Sequence, residues 1–119
     1  MNLVDEVTER LSVDEAQARR GLGTMFVAIR MALDMRTFTT IATAFPDIGD
    51  WMVEAPFQGD GTGEMLVMAT PSAVRRTLAV ADFDGGRATE LCRIVGDAIR
   101  TQVSPTVLAA LNAKLPLFD

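Results

Sequence analysis

Histidine and tyrosine are missing from this 119-residue chain, cysteine occurs once, and lysine supplies one of the eleven basic residues. Without His there is no His-based triad and no His/Cys zinc site, and one thiol forms no intrachain disulfide. Long hydrophobic runs are missing too. The most apolar stretch, Leu22 to Leu33, contains Arg30 and covers about 18 Å as a helix, against about 30 Å for a bilayer core. It reads as a buried helix, and no membrane partner is expected. Acids exceed bases by 16 to 11, a net charge of −5, which opposes nucleic acid and anionic lipid because phosphate binding needs a basic patch. The segment Met1-Asn2-Leu3-Val4-Asp5-Glu6 carries acids where a secretory leader places Lys or Arg, so a cytoplasmic location is expected.

The remaining composition, 49% hydrophobic and 23% charged, fits one globular domain that buries roughly two thirds of its unfolded surface without disulfide or metal. No cofactor is expected.

The chain repeats itself. Laid on itself with a shift of 70 residues and no gap, residues 1–49 meet 71–119 with seven identities, among them Asp14/Asp84, Ile29/Ile99, Arg30/Arg100 and Pro46/Pro116. The pattern of residue classes is stronger than the identities. Ala18, Leu22, Met25, Ile29 and Leu33 fall in register with Ala88, Cys92, Val95, Ile99 and Val103, and both sets keep to one helical face. Phe38, Ile41 and Phe45 likewise match Leu108, Leu111 and Leu115, each followed by a proline that cannot continue a helix.

Ser12 with Glu15 reads as a capping box for the first long helix, and Asp82 takes the N-cap position of the second. Asp34 and Ser104-Pro105 cap the helices that follow. A shorter helix precedes each long one, Leu3 to Leu11 and Pro71 to Ala81, with Thr70 capping the latter. The expected fold is all-α: two tandem three-helix repeats packed about a pseudo-twofold axis as a single domain, 1–119. Residues 50–70 form a solvated, acidic crossover. It holds the turn Gly59-Asp60-Gly61-Thr62-Gly63 and a short extra helix over Glu64 to Ala69, with a strand as the alternative.

The long helix after Leu11-Ser12-Val13-Asp14-Glu15, then Phe45-Pro46-Asp47-Ile48 leading into Trp51-Met52, a Gly-rich middle and the final Ala109-Ala110-Leu111 before Leu115-Pro116 give an order of elements that resembles the VcgC/VcgE-like family of uncharacterised bacterial proteins. A second family of small two-repeat bacterial helical proteins has a similar Leu-Pro helix ending. Neither resemblance implies an activity or site residues, and some relatives of the first kind look secreted.

Arg30 and Arg100, each following an Ile at equivalent positions, are the sharpest ligand-binding candidates. Two guanidiniums can clamp a carboxylate or phosphate between the repeats. The alternative is local pairing, Arg30 with Asp34 and Arg100 with Asp97. Cys92 replaces Leu22 in the register and reads as a small buried hydrophobe. Asp5, Glu6, Glu9, Asp14 and Glu15 lack the spacing of a calcium loop and read as solvated helix faces. The Gly59-x-Gly61-x-Gly63 run has no preceding strand and no following Lys, so it is a turn and no phosphate loop. The seven methionines fill core or line an adaptable groove. Trp51, Phe57, Leu117 and Phe118 are candidate interface residues, since leaving such side chains in water forgoes about 1.5–3 kcal/mol each.

No catalytic residue is expected. The sequence points to a non-enzymatic helical module that binds another protein or itself as a homodimer. The alternative is a carrier of an apolar or anionic small molecule between the repeats.

Overall fold

Caps, prolines and apolar stripes set where the helices begin and end. The computed structural model describes residues 3–53, 71–80, 82, 83 and 85–116, among which seven α-helices and no strand form. They are α1 (Leu3–Leu11), α2 (Glu15–Ala32), α3 (Met35–Ala44), α4 (Ile48–Val53), α5 (Pro71–Val80), α6 (Gly85–Gln102) and α7 (Pro105–Lys114). The radius of gyration is 12.8 Å, close to the ~13.5 Å of a compact chain of this length. The bounds of α2 and α6 lie 70 residues apart, and so do those of α3 and α7.

Both long-helix stripes face inward. Ala18, Leu22, Met25 and Ile29 are buried, as are Ala88, Cys92, Val95 and Ile99, while Leu33 and Val103 pack at the margin. Phe38, Ile41, Phe45, Leu111 and Leu115 join the same apolar cluster, which runs from Leu3 to Leu115. α2 and α6 are its axis. Each touches the other and each of α1, α3, α5 and α7.

Two caps form as the sequence implies. The Asp34 carboxylate accepts the Thr37 N–H at 2.7 Å, and Ser104 Oγ accepts the Val107 N–H at 3.4 Å with Pro105 in the first turn. Hydrogen bonds from Thr37, by its side chain and then its backbone, hold the Asp34 carboxyl below the usual carboxylate range, with a smaller contribution from Arg36.

The caps of α2 and α6 are not those expected. Asp14, and not Ser12, caps α2, its carboxylate taking the Gln17 N–H at 2.7 Å. Ser12 has φ +56°, a left-handed turn residue closing α1 that is out of place for an N-cap. Asp82 has φ +67° and closes α5: its N–H reaches Ala79 O at 3.0 Å and the Phe83 N–H reaches Leu78 O at 2.8 Å. That pair of bonds is a Schellman motif, which satisfies the orphan carbonyls at a helix C-terminus. Ser12 and Asp82 thus correspond, but as exits from a helix and not as entries.

The crossover begins later than expected. Residues 50–53 are the body of α4, and Ile48 and Trp51 are buried. Phe26 of α2 packs between Phe45 and Trp51, with ring centroids 5.5 and 5.8 Å away. Gly23 allows this approach, because a Cβ there would stand 1.9 Å from the Trp51 carbonyl oxygen. Gly21 does the same for the other side of α2, where a Cβ would meet Phe83 at 2.6 Å and Leu91 at 3.0 Å. Thr70, the turn at 59–63 and the segment 64–69 lie outside the described residues.

Candidate functional site

Arg30 and Arg100 both lie on the solvent side of their helices. Arg100 takes the local partner, donating to Asp97 Oδ1 at 2.9 Å with both side chains about half exposed. Such a pair contributes little to stability. Arg30 has no ion pair among the described residues, and the carboxylate of Asp34 is turned to the Thr37 N–H instead. Neither arginine lines the cavity described below.

Of the four interface candidates, Trp51 is 5% exposed and forms part of the core around Phe26. An indole that packs on Phe26 buries more apolar area than any exposed site would. Phe57, Leu117 and Phe118 lie outside the described residues. Leu115, which precedes them, is fully buried, so the chain up to that point closes on its own core. The exposed large hydrophobics among the described residues are Met35 and Val53.

Charged side chains are arranged as helix-surface pairs. Glu15 pairs with Arg19, and Arg10 bridges Glu6 at 3.0 Å and Glu90 at 2.8 Å, tying α1 to α6. Among the described residues no group of three His, Cys, Asp or Glu side chains is placed to hold a metal ion, and no helix is long and apolar enough to cross a membrane.

Cys92 is buried and unpaired, and burial pushes its thiol above the usual range, with Arg75 pulling weakly the other way. A buried neutral thiol is a poor nucleophile. The expected result is that Cys92 in the folded protein reacts with a disulfide reagent only as fast as the chain opens. Rapid stoichiometric labelling of native protein, followed by absorbance, would contradict this placement.

Two surfaces have the shape of a binding feature. The first is α7. Of its residues only Leu111 is buried, and Lys114 is its single charge. Its exposed side is Thr106, Ala109, Ala110 and Ala113, spaced to form one helical face.

The second is a cavity of about 340 Å³ where the first turn of α1, the α3–α4 turn and the last turn of α6 meet. Its walls are Leu3, Phe45, Trp51 and Ala98, with Ala44 and Pro46 beside them. Its polar groups are Glu6, Asp47, Thr101 and Gln102. Nothing in sequence spacing brings residues 3, 45 and 101 together; the docking of α1 and α3 on α6 does.

No protein-family model, curated protein or solved structure matches the chain.

Proposed function

We propose that this chain is a non-enzymatic helical protein-interaction module that binds a second copy of itself. The observation that carries this reading is α7, a helix with one charge, Lys114, and one fully buried residue, Leu111. Its outer face has small, uncharged side chains, so a second copy meets no like charge there despite the net charge of −5. Two such faces related by a twofold are self-complementary. Placing Glu at Ala110 sets like charges against each other in a dimer, yet in the monomer it meets only solvent and Lys114 one turn on. Sedimentation of the full chain should therefore show a concentration-dependent dimer, and Ala110→Glu should remain monomeric with a nearly unchanged melting temperature. A wild-type chain that stays monomeric at high micromolar concentration overturns the reading.

The finer architecture belongs to the same proposal. Residues 1–49 and 71–119 are read as two copies of one three-helix unit about a pseudo-twofold axis, within a single domain. Apart from α4 on α2, which has no counterpart, exchanging the copies turns each helix contact into another contact of the same structure: α1 on α6 becomes α5 on α2, and α3 on α6 becomes α7 on α2. Gly21 and Leu91, equivalent positions in the register, lie against each other, as residues next to such an axis do. The VcgC/VcgE-like resemblance rests on this same helix-and-proline order.

One observation favours the second reading, a small-molecule carrier. The cavity is lined from both copies, by Leu3 and Phe45 from the first with Ala98 and Thr101 from the second. Its volume falls at the small end of ligand pockets, which span about 300–1,000 Å³.

A further inference from the structure

The cavity carries charge of one sign. Glu6 and Asp47 are its ionisable groups, and no Arg or Lys lines it. The two acids differ in what they already hold. Glu6 is engaged by Arg10 at 3.0 Å, whereas nothing among the described residues pairs with the Asp47 carboxylate. Backbone dipoles add to this field. Ala44 is the last residue of α3, and Thr101 and Gln102 are the last two of α6, so two helix C-termini end at the cavity with their partial negative charge. The opposing contributions are the N-terminus of α1 at Leu3, whose first turn holds Asp5 and Glu6, and that of the short α4, where the Asp47 carbonyl accepts the Asp50 N–H at 3.0 Å, so that both ends already carry carboxylates. The balance favours a cation. Phe45 and Trp51, packed on Phe26, also line it, and aromatic rings both attract a cationic group and suit a hydrocarbon body.

We propose that this cavity binds a small organic cation, an ammonium group on a short apolar or aromatic body, with Asp47 as its charge partner. The proposal rests on the carrier reading and reverses the ligand charge expected from Arg30 and Arg100. Asp47 holds the cation at the α3–α4 turn, Thr101 and Gln102 offer hydrogen-bond acceptors, and Phe45, Trp51 and Leu3 cover the apolar part. About 340 Å³, open to solvent on one side, accommodates a single-ring compound or a branched aliphatic amine.

Trp51 is the one tryptophan of the chain and tyrosine is missing, so intrinsic emission reports on the cavity wall directly. The test titrates the full-length protein with phenethylammonium, its neutral analogue phenethyl alcohol and the anion phenylacetate. Trp51 emission and the backbone amide shifts of Ala98 and Thr101 are followed. Phenethylammonium should give a saturable change about tenfold tighter than phenethyl alcohol, the size of one charge-assisted contact, and phenylacetate none. Asp47→Asn should remove the tenfold preference, so that phenethylammonium binds no more tightly than phenethyl alcohol. Equal binding of cation and alcohol, or a preference that survives Asp47→Asn, overturns the cation proposal while the carrier reading stands. If none of the three perturbs Trp51, Ala98 and Thr101, both fall.

Discussion

Replacing Gly23 with alanine should lower stability by up to about 2 kcal/mol, the overpacking cost less the roughly 1 kcal/mol by which alanine is the better helix former. The Cβ would stand 1.9 Å from the Trp51 carbonyl oxygen and 2.7 Å from the carbonyl carbon. The clash is with backbone and not with a side chain that can rotate away. α4 must therefore withdraw by at least about 1 Å, and overpacking of this kind typically costs 1–3 kcal/mol. Withdrawal loosens Trp51 and Phe45 around Phe26, which they now contact at 5.8 and 5.5 Å between ring centroids. For a chain of this size the loss corresponds to a melting temperature lower by up to about 10 °C. Trp51 emission should shift to the red as water reaches the indole. The same substitution at Gly49, where a Cβ would meet nothing within 4 Å, serves as the control. An unchanged melting temperature for Gly23→Ala would show that α4 is not seated on α2 at this point.

That glycine also explains why α4 was hard to read from the sequence. Trp51, Met52 and Val53 follow an acidic residue and precede a stretch rich in Gly and acids, a composition that resembles a solvated connection. The opposing signal lay thirty residues earlier. Gly21 and Gly23 sit inside a helical apolar run, where each costs about 1 kcal/mol relative to alanine, and that cost implies a close neighbour without naming it. Phe83 on one side and Trp51 on the other are those neighbours. Both pairings are long-range, and helical periodicity says nothing about which distant segment fills a gap.

By contrast the long helices were legible, because their stripes are set by local spacing. Ala18 to Ile29 and Ala88 to Ile99 required only the 3.6-residue period to be placed on one inward face. The helix ends were legible where one residue decides them, as at Asp34 and Ser104. They were not at Ser12 and Asp82, since Ser and Asp suit both an N-cap and a left-handed turn, and only backbone geometry separates the two. The cavity was the least legible feature. Its acids come from the first turn of α1 and the α3–α4 turn, which sequence inspection treats as two unrelated solvated positions.

Ile29→Ala and Ile99→Ala should each lower stability by about 2–5 kcal/mol, a large part of the roughly 5–15 kcal/mol that holds a domain folded. Both side chains are fully buried in the same apolar cluster. Their carbonyls also do the same work, accepting the Leu33 N–H at 3.1 Å and the Val103 N–H at 2.9 Å where each long helix ends. If the two copies pack about a pseudo-twofold axis, the cavities left by the lost atoms have matching walls, and the two costs should agree within about 1 kcal/mol. α4 breaks the symmetry of the molecule, but it rests at Gly23, about 120° around α2 from Ile29. It should therefore not cover the Ile29 site. Chemical denaturation with the slope held in common measures both values. Two large and similar losses support equivalence of the copies. A loss of several kcal/mol at one site beside a negligible one at the other would mean that the 70-residue register matches helix boundaries without matching the packing inside them.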